Sequence, residues 1–208
     1  MGDVAVQMWF DFGCPYSRMS LVELSRLIAD GGKDIEVELR CLRIDPGAPS
    51  DYGKTTVENL CDHLGITEAE ALAMLQSVVD TGKTVGVEFD FLRARGANTF
   101  DAHRLQKLAA RSGAHIPFAE AVFTAHFERG LLISDHDVLV DLAVEAGLDA
   151  AEVRGVLAGD EFAAAVADDE AAADSEGIER TPHFRFGDGT ELSGLQTRTQ
   201  FVHSLAGY

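Results

Sequence analysis

One thiol stands where chemistry is easiest to support. Cys14 lies between Gly13 and Pro15, where an apolar run from Val4 to Phe12 gives way to a segment whose Met19, Leu21, Val22, Leu24, Leu27 and Ile28 suit the packed side of a helix. Unpaired N–H groups and the helix dipole stabilise an anion at a helix N-terminus, so a cysteine there favours the thiolate. Pro15 suits a first helical position, where a missing N–H costs nothing. The chemistry expected is thiolate attack on a disulfide or another electrophile, from a sulfur exposed at the helix start. The plainer alternative is a buried thiol at a strand end. Asp11, three residues earlier, opposes ionisation if its carboxylate points the same way.

The elements that would position this thiol follow from periodicity. Val4 to Phe12 reads as a first strand and residues 18–29 as a first helix ended by Gly31-Gly32. Ile35, Val37 and Leu39 alternate with Glu36, Glu38 and Arg40, giving a second strand and a βαβ unit. Cys41 continues that strand as a small buried apolar thiol. Asp45-Pro46-Gly47-Ala48-Pro49 is turn chemistry. A helical stretch follows. Thr67 to Glu70 is a capping box opening a helix with Leu72, Leu75 and Val79 on one stripe. Asn98 or Thr99 caps a helix with Ala102, Leu105, Leu108 and Ala109 inward, and Ser134 caps one with Val138, Leu142 and Ala146 inward. Phe184 and Phe186 alternate into a short strand, Gly187-Asp188-Gly189 turns it, Glu191 to Ser193 returns, and residues 196–206 close as a helix. The gap between Ile44 and Thr181 is too long for a connection within a sheet and calls for an inserted helical domain. The expected architecture is α/β, with residues 1–50 and 160–208 in one discontinuous domain and 51–159 in the insertion.

Composition limits the partners. The chain has 208 residues, 46% hydrophobic and 25% charged, as in ordinary globular proteins. Its formal charge of −18 argues against nucleic-acid and anionic-membrane partners, which it would repel. No apolar run is long enough to span a membrane. Asp3 stands where a secretory signal would carry basic residues, and three cysteines do not suggest a disulfide framework, so the reading is cytoplasmic. The histidines other than His103 show no zinc-ligand spacing with cysteine, and no metal is expected.

The stretch Asp11-Phe12-Gly13-Cys14-Pro15-Tyr16-Ser17 resembles the active-site turn of DsbA-like thioredoxin-fold proteins, most closely the FrnE-like branch, whose pattern is an acid, two residues, then Cys-Pro-aromatic-Cys. Arg43-Ile44-Asp45-Pro46, Asn98 to Leu105, Thr181-Pro182-His183-Phe184 and Ser193-Gly194-Leu195-Gln196 are similar to that branch in the same order. The resemblance implies a thioredoxin-like fold with a helical insertion. It makes Cys14 the nucleophile, with Pro15 and Tyr16 beside it. Thr181 and a cis Pro182 would hold substrate backbone as an added strand. Asp11 would serve as a proton-transfer group near the sulfur, or else as a strand-end or capping acid. His103 would face the site from the insertion, as a thiolate partner or as a structural histidine. Asn98 is a substrate-side candidate as well as a cap. In the related kappa-class glutathione transferases and 2-hydroxychromene-2-carboxylate isomerases the last stretch binds glutathione, which makes Ser193 and Gln196 candidates.

Ser17 departs from the pattern, standing where the second cysteine would be. A serine oxygen cannot resolve a mixed disulfide. The expected activity is therefore thiol–disulfide oxidoreduction through Cys14 as a monothiol, with glutathione as a possible co-substrate and no tightly bound cofactor. Whether the serine is native or substituted is open from sequence. A glutathione-dependent transferase or isomerase is one alternative, and a non-catalytic binding protein is another. The resemblance also implies thiol or disulfide substrates, protein or small molecule, possible homodimerisation, and a link to polyketide biosynthesis.

Overall fold

The computed structural model describes residues 4–31 and 35–205. Among the described residues, four strands make one mixed sheet in the order β2-β1-β3-β4. β1 (Val4–Phe10) runs parallel to β2 (Ile35–Cys41) and antiparallel to β3 (His183–Phe186), and β4 (Glu191–Ser193) pairs with β3. Parallel neighbours need a crossover, and α1 (Pro15–Ala29) supplies it. α2 (Thr56–Leu64), α3 (Glu68–Thr84), α4 (Phe100–Arg111), α5 (His115–Phe127), α6 (His136–Glu145) and α7 (Ala150–Ala158) then follow in sequence. The chain returns through α8 (Ala163–Ser175) to the β3–β4 hairpin and ends the described part in α9 (Arg198–Leu205). This is the thioredoxin-like α/β arrangement with helices inserted between β2 and β3.

Strand alternation sorts the β1 side chains. Val6, Met8 and Phe10 join the main core, while Trp9 faces the other way, onto Ala173 and Ile178 with Leu42 beside it. Arg40 and Arg185 each sit 5.2 Å from the Trp9 ring centre, capping an otherwise apolar surface with cations. The main core runs without a break from the sheet into the inserted helices. Phe10 and Phe12 pack on Phe123 of α5 at 5.9 and 5.2 Å between ring centres. Transfer of each such ring from water contributes roughly 2–3 kcal/mol.

Several boundaries and faces differ from expectation. β1 ends at Phe10 rather than Phe12, and α1 begins at Pro15 rather than Arg18, because Cys14 N–H turns back to the Asp11 carbonyl at 3.0 Å. Gly31 has φ 65°, the left-handed turn that stops α1. Gly32, Met1 to Asp3 and Ala206 lie outside the described residues. In α3, Ala71, Val78 and Gly82 are buried, whereas Leu72, Leu75 and Val79 are only half-buried. A Cβ on Gly82 would lie 2.5 Å from the Phe89 ring, so close packing turns the helix onto that side. α6 is capped by Asp135, which accepts from Asp137 N–H at 2.9 Å. Ser134 instead donates to the Ser50 carbonyl. Leu139, Val140, Leu142 and Ala143 face inward there, leaving Val138 and Ala146 half-buried.

Candidate active site

Sheet register brings two loops together. Trp9 pairs with His183, so the chain leaving β1 toward Cys14 runs beside the chain entering β3 from Pro182. Cys14 is the N-cap residue of α1, with φ −95° and ψ 113° and no side-chain cap bond, and Pro15 opens the helix. The Thr181–Pro182 peptide is cis. Cys14 Sγ lies 3.5 Å from the Thr181 carbonyl oxygen, to which the thiol donates. Gly194 N–H donates to the Pro182 carbonyl at 2.7 Å, and its φ of 80° lets the β4 exit loop close against the same turn.

The chain leaving β2 forms the third wall. Leu42 N–H bonds to Phe10 O at 3.0 Å, and Ile44 N–H donates to Asp11 Oδ2 at 2.7 Å. Arg43 is gripped by Glu170 of α8 through Nε and Nη2 at 2.7 and 2.9 Å and lies 4.9 Å over the Phe100 ring. Asp169 accepts the Cys41 N–H at 2.7 Å and pairs with Lys107. α8 thus pins the end of β2 through two acids. The Cys41 thiol is pushed up by burial and by Glu170, which leaves it inert beside Cys14.

A cleft of about 610 Å³ results, lined by Cys14, Pro15, Tyr16, Leu42, Arg43, Ile44, Glu179, Arg180, Thr181, Gly194 and Leu195. Cys14 itself is only 3% exposed, which corrects the expectation of an exposed thiol: it sits among the loops that follow β2 and precede β3, which line the cleft with it. Tyr16 and Ile44 are 40% and 62% exposed and offer apolar surface to an incoming molecule.

Asp11 and His103 meet each other rather than the cleft. His103 Nε2 is 3.4 Å from Asp11 Oδ1, and the His103 ring packs between Phe10 and Phe12 at 4.9 Å from each. Burial alone would raise the Asp11 pKa. His103, the Ile44 amide and the Thr99 hydroxyl outweigh it and hold the carboxyl below its ordinary value. An ionised Asp11 therefore ties the turn to the loop after β2. Neither residue lines the Cys14 cleft.

The remaining candidates divide. Ser17, one turn beyond Cys14 on α1, is fully buried, and its hydroxyl has no partner among the described residues. Asn98 accepts from Phe100 N–H and donates to the Ala48 carbonyl, each at 2.8 Å, so its amide is engaged in structure. Ser193 is exposed on β4. Gln196 is buried and spends its Nε2 on the Ser193 and Gly194 carbonyls at 3.1 and 3.0 Å. None of these four lines the cleft.

A second cavity of about 750 Å³ lies across Pro15 and Ile44, with Asp11 and Thr99 at one side and Leu60, Leu75, Phe91, Phe127 and Ile133 among its walls. His126 also lines it, and sequence reading passed this residue over. Burial pushes its pKa down to about 4, and its Nδ1 has no hydrogen-bond partner among the described residues. Its i, i+3 and i, i+4 apolar neighbours Phe123 and Val122 were the available signal. Among the described residues no group of three or more His, Cys, Asp or Glu is placed to hold a metal, and no helix is long and apolar enough to cross a membrane.

With this geometry in view, comparison with known proteins is direct. Residues 5–206 match the DSBA-like thioredoxin domain model, and the chain belongs to that family. The structure is similar to a probable DsbA oxidoreductase from Streptomyces coelicolor, with TM-score 0.88 and 29% identity over 98% of this chain and 89% of that one. It is also similar to a 2-hydroxychromene-2-carboxylate isomerase, with TM-score 0.74 and 16% identity over 98% and 94% of the two chains. A third similar structure is the cytosolic disulfide reductase DsbM from Pseudomonas aeruginosa, with TM-score 0.63 and 17% identity over 98% and 100%. At the identities of the last two, the likeness concerns the fold. A comparison with curated proteins gives no match.

Proposed function

We propose that this protein is a thiol–disulfide exchange enzyme of the cytoplasm that works through Cys14 alone. The observation that carries this reading is the Cys14 sulfur at a helix N-terminus, 3.5 Å from the Thr181 carbonyl and bordering an open cleft. In the proposed reaction the Cys14 thiolate attacks one sulfur of a substrate disulfide. A Cys14–substrate S–S bond forms as the substrate's own S–S bond breaks, and the other half leaves as thiolate. Substrate backbone extended along Thr181 would be held by main-chain hydrogen bonds. Ser17 cannot complete the cycle, so a second thiol, with glutathione the natural candidate, attacks the captured sulfur and returns Cys14 as thiolate. Asp11 and His103 act as positioning residues that fix the turn. Substrates would be thiol or disulfide compounds, small or protein.

The test is kinetic. Mixed with oxidised glutathione, the protein should accumulate a one-to-one mixed disulfide visible by intact mass, stable until reduced glutathione is added and then released. Spontaneous release without added thiol, or no adduct at all, would overturn the reading.

The cavity across Pro15 favours a second reading, a glutathione-dependent transferase or isomerase. A chamber of about 750 Å³ that shares Pro15 and Ile44 with the cleft, with Leu60, Leu75, Phe91, Phe127 and Ile133 among its walls, could hold a small apolar substrate against glutathione in the cleft. Isomerisation of such a substrate with glutathione recovered unchanged, or its conjugation to glutathione as a thioether with no disulfide formed, would support it over exchange.

A further inference from the structure

The rim of the cleft carries an unexplained pair of charges. Glu179 and Arg180 directly precede Thr181, both line the cleft, and both are exposed. Among the described residues, neither side chain takes part in a hydrogen bond or ion pair, with each other or with anything else. The other cleft arginine, Arg43, is paired with Glu170 through Nε and Nη2. In a chain with 35 acidic and 17 basic residues, an arginine left without an acid beside a reactive sulfur stands out.

We propose that Glu179 and Arg180 make this cleft selective for small disulfides bearing an α-amino-acid group, Arg180 taking the carboxylate and Glu179 the ammonium. An α-amino acid carries one charge of each sign on the same carbon, and the rim offers the complement of both. A cysteine inside a polypeptide has neither charge, because both groups are consumed in peptide bonds. The rim therefore favours a low-molecular-weight disulfide of the cystine or glutathione-disulfide kind over an internal protein disulfide. Arg180 also offsets, at the site itself, the repulsion that a chain of formal charge −18 exerts on anionic substrates. The exchange needs no further reactant: Cys14 thiolate forms one S–S bond, the substrate loses one, and a cysteine or glutathione thiolate leaves. This inference rests on the exchange reading above.

The experiment follows Cys14 adduct formation by intact mass with five disulfides. L-Cystine and glutathione disulfide carry α-amino-acid groups and separate the two sources. Cystamine is cationic, 3,3′-dithiodipropionate anionic and 2-hydroxyethyl disulfide neutral. The readout is each compound's rate relative to 2-hydroxyethyl disulfide, which removes general effects on Cys14. For at least one of the two compounds bearing α-amino-acid groups, this ratio should fall about tenfold in the Glu179→Gln/Arg180→Gln double variant and shrink with rising salt. The Arg180→Lys variant should retain much of the ratio. Each single variant should shift selectivity by charge, Arg180→Gln toward cystamine and Glu179→Gln toward dithiodipropionate. Unchanged ratios in the double variant would show the two residues to be solvated surface charges and overturn the inference while leaving exchange intact. Absence of an adduct with all five would overturn both.

Discussion

The Cys14 sulfur and the Thr181 carbonyl oxygen face each other at 3.5 Å across 167 residues of sequence. The contact follows from one register, Trp9 opposite His183, which makes the loop after β1 and the loop before β3 neighbours. It places the Cys14 thiol next to a backbone carbonyl, the position at which the proposed exchange would seat an extended substrate.

Asp11 should hold this arrangement together. Its carboxylate receives the Ile44 amide and meets His103 in the interior, so Asp11→Ala would strand both. A loss of about 3 kcal/mol in urea unfolding is expected, with Asp11→Asn costing less because it keeps an acceptor. Trp9, the single tryptophan and fully buried, supplies the fluorescence signal. The carboxyl is depressed below its ordinary 3.8, so its contribution is fully present above that pH and is lost as pH falls below it.

His126 governs a higher window. Its pKa falls from an ordinary 6.5 to about 4 in the folded chain, because burial disfavours the charged ring. Between pH 6.5 and 4 the unfolded chain binds a proton that the native one refuses, so stability is full above 6.5 and declines as pH drops through that interval. The difference corresponds to roughly 3 kcal/mol. His115 and His183, also depressed, add to the same slope. His126→Leu should flatten the unfolding free energy between pH 6.5 and 4 without removing the slope altogether. An unchanged slope would show that His126 does not set it.

Ser17 decides the electron count. It lies three residues after Cys14 on the first turn of α1, fully buried, where a thiol would occupy space already enclosed. Ser17→Cys should let the protein oxidise internally. After treatment with oxidised glutathione its mass should fall by two hydrogens, with no persistent adduct. A stable adduct in that variant would mean the two side chains cannot meet.

How far the sequence revealed all this depended on range. The turn at Cys14 was legible because Gly13, Pro15 and the change of periodicity are all local. The insertion was legible from the distance between Ile44 and Thr181. Contacts made only by folding were not: nothing in the chain announces that Asp169 and Glu170 of α8 hold the end of β2, or that Ile44 donates to Asp11. Gln196 entered through resemblance alone, and its amide proves to be used within its own loop. Glu179 and Arg180 escaped notice because exposed charges after a helix read as solvation until the cleft beside them is visible.

The most direct test of the central claim is to map the glutathione adduct. The native protein is treated with oxidised glutathione under non-denaturing conditions, digested, and its Cys14, Cys41 and Cys61 peptides are analysed by mass. Modification at Cys14, with Cys41 untouched in its buried acidic setting, is the expected result. An adduct confined to Cys61, or a Cys14 that stays free while the protein is folded, would contradict the assignment of Cys14 as the exchanging thiol.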